Sequence, residues 1–169
     1  MLTPGSSVEG SIELPGAVCS ISNKLDSIET IVNQVLDYRC GAIATFIGTT
    51  RNSFQGKVVT KLEYQAYTKL ALKTMAKIVS DAQTSILRSE HTPSQTTTPG
   101  LVMIAIHHRI GVVKIGEPSI VIAVSSPHRK EAFNACEFIL EEVKRKAQIW
   151  KREYYEGEDE SEAEWKSNT

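Results

Sequence analysis

From residue 26 onward, apolar positions recur at helical spacing at Ile28, Ile31, Val32, Val35 and Leu36. This predicts a first helix that Asp26 or Ser27 caps and Gly41 ends. Residues 42–47 are almost wholly apolar between Gly41 and Gly48, the pattern of a strand buried on both faces. Residues 48–56 then read as a polar, glycine-bounded loop that presents Arg51 at a strand end. Residues 57–66 alternate as a second strand, with Val59, Leu62, Tyr64 and Ala66 on or near one face. Thr68 caps a second helix ending near Leu87, whose stripe is Leu72, Met75, Val79, Ala82 and Ile86. Residues 101–108 and 120–125 predict two further strands. The chain then turns at Pro127 into its longest predicted helix, which runs to Glu153.

Outside these elements the pattern fades. Residues 1–24 mix Pro, Gly and Ser with short apolar pairs and are expected to form a flexible arm, with a brief edge strand near 12–14. Residues 88–100 carry Ser, Thr, Gln and prolines and read as a surface loop inserted before the next strand. From Glu153 to Glu164 there are seven acids and no base, so 154–169 reads as an acidic, solvated tail. What remains, 25–153, is one domain, and a chain of 169 residues buries roughly 70% of its unfolded surface. Helices alternating with strand pairs predict an α+β class. The expected architecture is a mixed α/β sandwich with three main helices against a mixed, largely antiparallel sheet.

Charge changes the picture only locally. The formal net charge of −1 excludes a protein that coats nucleic acid through a broad basic surface, so any anion site must be confined. Lys144, Arg145, Lys146, Lys151 and Arg152 supply such a concentration, with no carboxylate between Lys144 and Arg152. Cys19, Cys40 and Cys136 form no CxxC pair and make a poor disulfide framework, which points to a reducing compartment. The amino terminus lacks the basic and apolar regions of a secretory signal, and no apolar run approaches the roughly 18 residues of a membrane span; a soluble cytosolic protein is expected.

Candidate chemistry gathers at the two ends of the last helix. With Ser126 as N-cap and Pro127 as first helical residue, His128 and Arg129 sit on the first turn, where free backbone N–H groups favour a phosphate or carboxylate. The alternative is an ordinary capped helix with both side chains solvated. Lys144 and Lys151 are seven residues apart, about two turns and roughly 10 Å along a continuous helix, so each depresses the other's pKa. Partial burial beside Ile149 and Trp150 would make one a base or nucleophile near neutral pH; otherwise the cations merely offset the helix dipole. Arg51 can clamp an anion bidentately or be solvated. His107 and His108 point to opposite faces of a strand and are a poor metal pair, so no metal site is expected. Cys136 shares a stripe with Phe133, Leu140, Val143 and Ala147 and is expected in the core.

Four segments together, 42–48 with Arg51, 108–111, 125–129 and 144–153, resemble the catalytic (large) subunit family of molybdopterin synthase, in order and at the family's separations over about residues 25–153. The resemblance implies an α/β hammerhead-type fold and a homodimer. A small ubiquitin-like sulfur carrier binds at each end, giving a heterotetramer. It implies a sulfurtransferase of molybdenum cofactor biosynthesis, without a bound cofactor. Sulfur from the thiocarboxylated Gly-Gly end of the carrier is inserted into cyclic pyranopterin monophosphate (precursor Z) to form the molybdopterin dithiolene. By the same resemblance, Lys144 is the general acid/base or amine beside the carrier's terminal carbonyl, and Lys151 orients substrate or stabilises negative charge. His128 and Arg129 hold the pterin phosphate, while Arg51, Arg152 and Glu153 complete the substrate-binding set. Residues 88–100 depart from the family pattern, and Lys166, after an acidic stretch, is not assigned to the site.

Two other classes stay open on the residues alone. One is a non-enzymatic anion- or RNA-binding module using the basic helix end; the other is an inactive homologue kept as a scaffold. An unbroken helix, rising about 1.5 Å per residue, would also hold Arg129 about 22 Å from Lys144 and about 33 Å from Lys151. A single site therefore requires either that its helix start and its lysines come from different subunits, or that the helix breaks before Lys151.

Overall fold

A computed structural model of the chain describes residues 7–86 and 102–169. Three helices pack against two five-stranded sheets in an α+β arrangement. The first sheet contains β1 (Gly10–Leu14), β2 (Ala17–Ser22), β3 (Ala42–Thr49), β6 (Met103–Arg109) and β8 (Pro118–Ser126), in the order β1-β2-β6-β8-β3. Among the described residues its only parallel pair is β2 with β6; the remaining neighbours are antiparallel. The second sheet is built on β5 (Lys57–Ala66), flanked by β4 (Ser53–Phe54), β7 (Gly111–Lys114) and β9 (Ile149–Tyr155), with the short β10 (Lys166–Ser167) on the outer edge of β9.

Cover on both faces explains why the middles of the central strands, Ile104 to Ile106 and Ile120 to Val124, are apolar at every position. Ile104, Ile106, Ile120, Ile122 and Val124 face α2 (Thr68–Ile86) and α3 (Arg129–Lys146), where they join Met75, Val79, Ile139 and Val143 in the main core. Their neighbours Ala105, Val121 and Ala123 face the other way and meet Ile31 and Val35 from α1 (Ile28–Asn33) and the turn after it. A strand covered on both faces has no polar side to show. Among the described residues no helix is long and apolar enough to cross a membrane.

Several boundaries differ from the sequence reading. Within the segment expected as a flexible arm, residues 10–22 form a hairpin turned at Gly16, whose φ of 71° suits glycine. It is held by long-range bonds: β2 pairs with β6, and Thr68 Oγ1 donates to Val8 O at 2.5 Å. The first helix is short. Ser27 caps it, accepting from Thr30 N at 3.1 Å, but by Val35 and Leu36 the backbone bonds have tightened to i→i−3 and the helix is over. The alternation of β5 slips because its pairing with β9 is irregular between Val59 and Lys61. Phe133 lies outside the core stripe of α3 and is exposed, whereas Cys136 is buried as expected. The loop expected at 88–100 lies outside the described residues.

The largest difference is at the end of the last helix. α3 stops at Lys146; Ala147 turns to an extended ψ of 141°, and residues 149–155 become a strand paired with β5. The helix breaks before Lys151, one of the two arrangements the sequence requires. The residues after the break are not poor helix formers; Ile, Trp and two Tyr prefer a pleated, half-buried surface, and β5 offers one.

Candidate active site

The break in α3 builds the site. Lys144, in the last helical turn, and Lys151, on β9, meet in a pocket of about 180 Å³ together with Arg51 from the loop after β3. Alternation along β9 sends Ile149 into the core and turns Lys151 and Glu153 to the same pocket. Lys151 Nζ lies 3.6 Å from Glu153 Oε1, and Tyr155 donates its hydroxyl to Glu153 Oε2. At the rim, Gly48 permits the approach of β8: a Cβ there would sit 2.7 Å from Ile120 Cγ2.

Lys144 is half-buried. Burial lowers its pKa from the ordinary 10.5, the charge of Lys151 lowers it further, and Glu141 opposes both. The two lysines therefore share one pocket as the sequence anticipates, but through a helix end and a strand, not through one helical face.

His108 forms the buried wall behind Lys144. Its Nδ1 donates to the backbone oxygen of Arg109 at 2.7 Å, which leaves Nε2 as an acceptor; that atom meets Asn168 Nδ2 at 3.1 Å. Burial pushes its pKa down to about 4, the Arg109 carbonyl raises it and the charge of Lys144 lowers it. His107 faces the opposite way, where its Nε2 donates to Gln34 Oε1 at 2.7 Å and its Nδ1 accepts from Ser20 Oγ at 2.7 Å. The pair is divided between faces, as strand alternation requires.

The other predicted residues lie elsewhere. His128 and Arg129 line a separate, open pocket with Gly41 at the start of α3. The N-cap is His128, not Ser126, because Ser126 still pairs with Ala42 in the sheet. Arg152 points away from Lys151: its Nε donates to Glu63 Oε2 at 2.8 Å, and its guanidinium stacks 4.6 Å from the centre of the Trp165 ring. Burial pushes the Glu63 carboxyl up, but hydrogen bonds from Tyr154 and Arg152 outweigh it, so its pKa lies below the ordinary value. Arg145 and Lys146 both pair with Glu142, earlier on α3. The concentration of charge in the sequence is thus distributed over several partners.

Two features of the site carry little sequence signal. His108 reads as half of an unsuitable metal pair and as the first residue of the 108–111 motif, with no role in the site assigned to it. Asn168 falls in the tail expected to be solvated, yet that tail is fastened by Lys57–Glu158 (2.6 Å) and Lys61–Glu160 (2.9 Å), and it buries Asn168 in the lysine pocket. The cysteines stand apart from the chemistry: burial pushes the thiols of Cys19 and Cys136 up to about 12 and about 11, far from thiolate formation.

Comparison with known proteins places this geometry in a family. The MoaE protein family model matches residues 21–146. A molybdopterin synthase catalytic subunit of Drosophila persimilis is 46% identical over 138 residues, covering 82% of this chain and 34% of that protein; the chain thus spans about a third of the length of such relatives. Molybdopterin synthase catalytic subunit 2 of Aedes aegypti is 46% identical over 129 residues, covering 76% of this chain and 75% of that protein. The crystal structure of molybdopterin synthase from Staphylococcus aureus superimposes with a TM-score of 0.72 at 31% identity, covering 86% of this chain and 94% of that one. The chain belongs to the MoaE protein family.

Proposed function

We propose that this chain is the catalytic subunit of a molybdopterin synthase. It transfers sulfur from a thiocarboxylated, ubiquitin-like carrier subunit to cyclic pyranopterin monophosphate, forming the dithiolene of molybdopterin in the cytosol. The observation that carries this reading is the convergence of Lys144, Lys151 and Arg51 in one pocket, where burial and a neighbouring charge hold down the pKa of Lys144. Sulfur arrives on the partner, so this chain needs cations and a proton carrier, not a thiol; the buried, protonated Cys19 and Cys136 fit that division of labour.

In this reaction Lys144 moves protons at the carrier's terminal carbonyl, and Lys151 and Arg51 stabilise negative charge on the reacting groups. Glu153 orients Lys151 from 3.6 Å. Arg152 supports the strand through Glu63. The pterin phosphate is held by His128 and Arg129 at the amino-terminal end of α3, where the helix dipole favours an anion. Because these two line a different pocket of the same chain, the reading requires a homodimer in which the helix start of one subunit completes the lysine pocket of the other. With a carrier at each end the assembly is a heterotetramer. The pairing of Arg145 and Lys146 with Glu142 and of Arg152 with Glu63 speaks against the RNA-binding alternative, which needs a basic helix end open to phosphates.

The direct test mixes the full chain with thiocarboxylated carrier and precursor Z. Dithiolene product is expected, and its absence with folded protein and competent carrier rejects the reading. A subunit-mixing experiment tests the shared site. Lys144→Ala and Arg129→Ala are each expected to be nearly inactive. After subunit exchange in equal amounts, half of the dimers are mixed and each carries one intact site, so about a quarter of wild-type activity returns. Mixing without recovery would place both groups on one subunit.

A further inference from the structure

We infer that His108 is a positioning residue of the lysine pocket, its Nε2 accepting a backbone N–H from the carboxyl-terminal segment of the sulfur carrier. The inference rests on the sulfur-transfer reading above. Three observations lead to it.

The first is the direction of the hydrogen bond. The Arg109 carbonyl can only accept, so the proton of the neutral imidazole is on Nδ1 and the lone pair of Nε2 faces the pocket. Tyr64 fixes the ring, edge to face, with centroids 5.1 Å apart and planes at 73°. Arg51, Lys144 and Lys151 bring only donors to this pocket, and the Glu153 carboxylate is already engaged by Lys151 and Tyr155. Nε2 is thus a neutral acceptor set among cations.

The second is what meets Nε2 now. Lys166 and Ser167 pair antiparallel with Lys151 and Trp150 on the edge of β9, and the next residue, Asn168, buries its amide against the ring at 3.1 Å. A segment paired on β9 thus carries a donor, here the Asn168 side-chain amide, to His108, with Lys144 and Lys151 lining the same pocket. The third is the chemistry of replacement. A buried acceptor left unmet is costly, so whatever takes the place of Asn168 must bring a donor. A Gly-Gly terminus has no side chain with which to donate; it has backbone N–H groups, and strand addition to β9 would present them.

Two substitutions separate the acceptor from the scaffold. His108→Asn keeps an amide that can donate to the Arg109 carbonyl but has nothing at the Nε2 position; His108→Gln reaches that position with an oxygen. Steady-state kinetics with thiocarboxylated carrier and precursor Z are expected to show the KM for carrier raised about tenfold in His108→Asn, with kcat within about threefold of wild type, and KM largely restored in His108→Gln. A KM within about twofold of wild type in His108→Asn, a loss confined to kcat, or no rescue by His108→Gln would overturn the inference. Should neither variant fold, the wild-type chain labelled with ¹⁵N-histidine decides: the unprotonated Nε2 resonance is expected to move on saturation with carrier, and an unmoved resonance overturns the inference. Wild-type protein that neither binds carrier nor transfers sulfur rejects the functional reading and this inference together. Active wild type with indifferent His108 variants rejects this inference alone.

Discussion

Replacing Lys144 with alanine is expected to lower turnover by roughly 10²- to 10⁴-fold, the usual contribution of a positioned proton carrier, while urea unfolding stays close to wild type. The fold should tolerate the change because alanine is the best helix former, and because the substitution removes a half-buried cation that faces Lys151. The pH dependence carries the mechanistic information. As a proton acceptor Lys144 works unprotonated, so kcat rises with pH through its pKa. Lys151→Met removes a charge that holds this pKa down, and the rising limb should therefore move to higher pH. A Lys144→Ala enzyme within about threefold of wild type would remove Lys144 from the chemistry. A limb that stays in place in Lys151→Met would break the proposed coupling.

Acid should destabilise this protein earlier than its carboxylates alone would dictate. His108 titrates at about 4 in the fold against an ordinary 6.5, and burial lowers His107 in the same direction. Between pH 6.5 and about 4 the unfolded chain thus binds protons that the folded chain refuses. Stability is full above that window and falls as pH drops through it. For His108 alone the loss approaches about 3 kcal/mol, since each pH unit between the folded and unfolded values contributes on the order of 1.4 kcal/mol. Urea midpoints at about pH 7 and about pH 4.5 measure it, and His108→Asn should flatten the difference. Equal pH dependence in wild type and variant would show that this imidazole is not held neutral by the fold.

Much of the scaffold is legible along the chain because its cause is local. Ile104 to Ile106 and Ile120 to Val124 are apolar at every position, since both faces of those strands are covered. The periodic stripe of α2 predicts the burial of Leu72, Met75, Val79 and Ala82, though not that of Ala71 and Ile78. The amino-terminal hairpin is not legible: Gly10–Leu14 and Ala17–Ser22 have weak alternation, and β2 is held by β6, more than eighty residues away. The same holds for Asn168, an ordinary polar residue until Lys166 and Ser167 dock on β9.

Lys144 and Lys151 show the division most clearly. Their residue types and the cations around them are enough to mark a site for anions and proton transfer, because charge so concentrated in a near-neutral chain must be met by a ligand, a carboxylate or water. Spacing alone suggests one helical face. Whether the chain continues as helix or turns into a strand after Lys146 is a contest between nearly equal local preferences, and the pairing of Ile149–Tyr155 with β5 decides it through bonds that no local window contains. That pairing turns Lys151 and Glu153 toward Lys144 and sends Arg152 to Glu63. The chemistry is written in the residue types, and the pocket comes from a strand pairing nearly ninety positions apart.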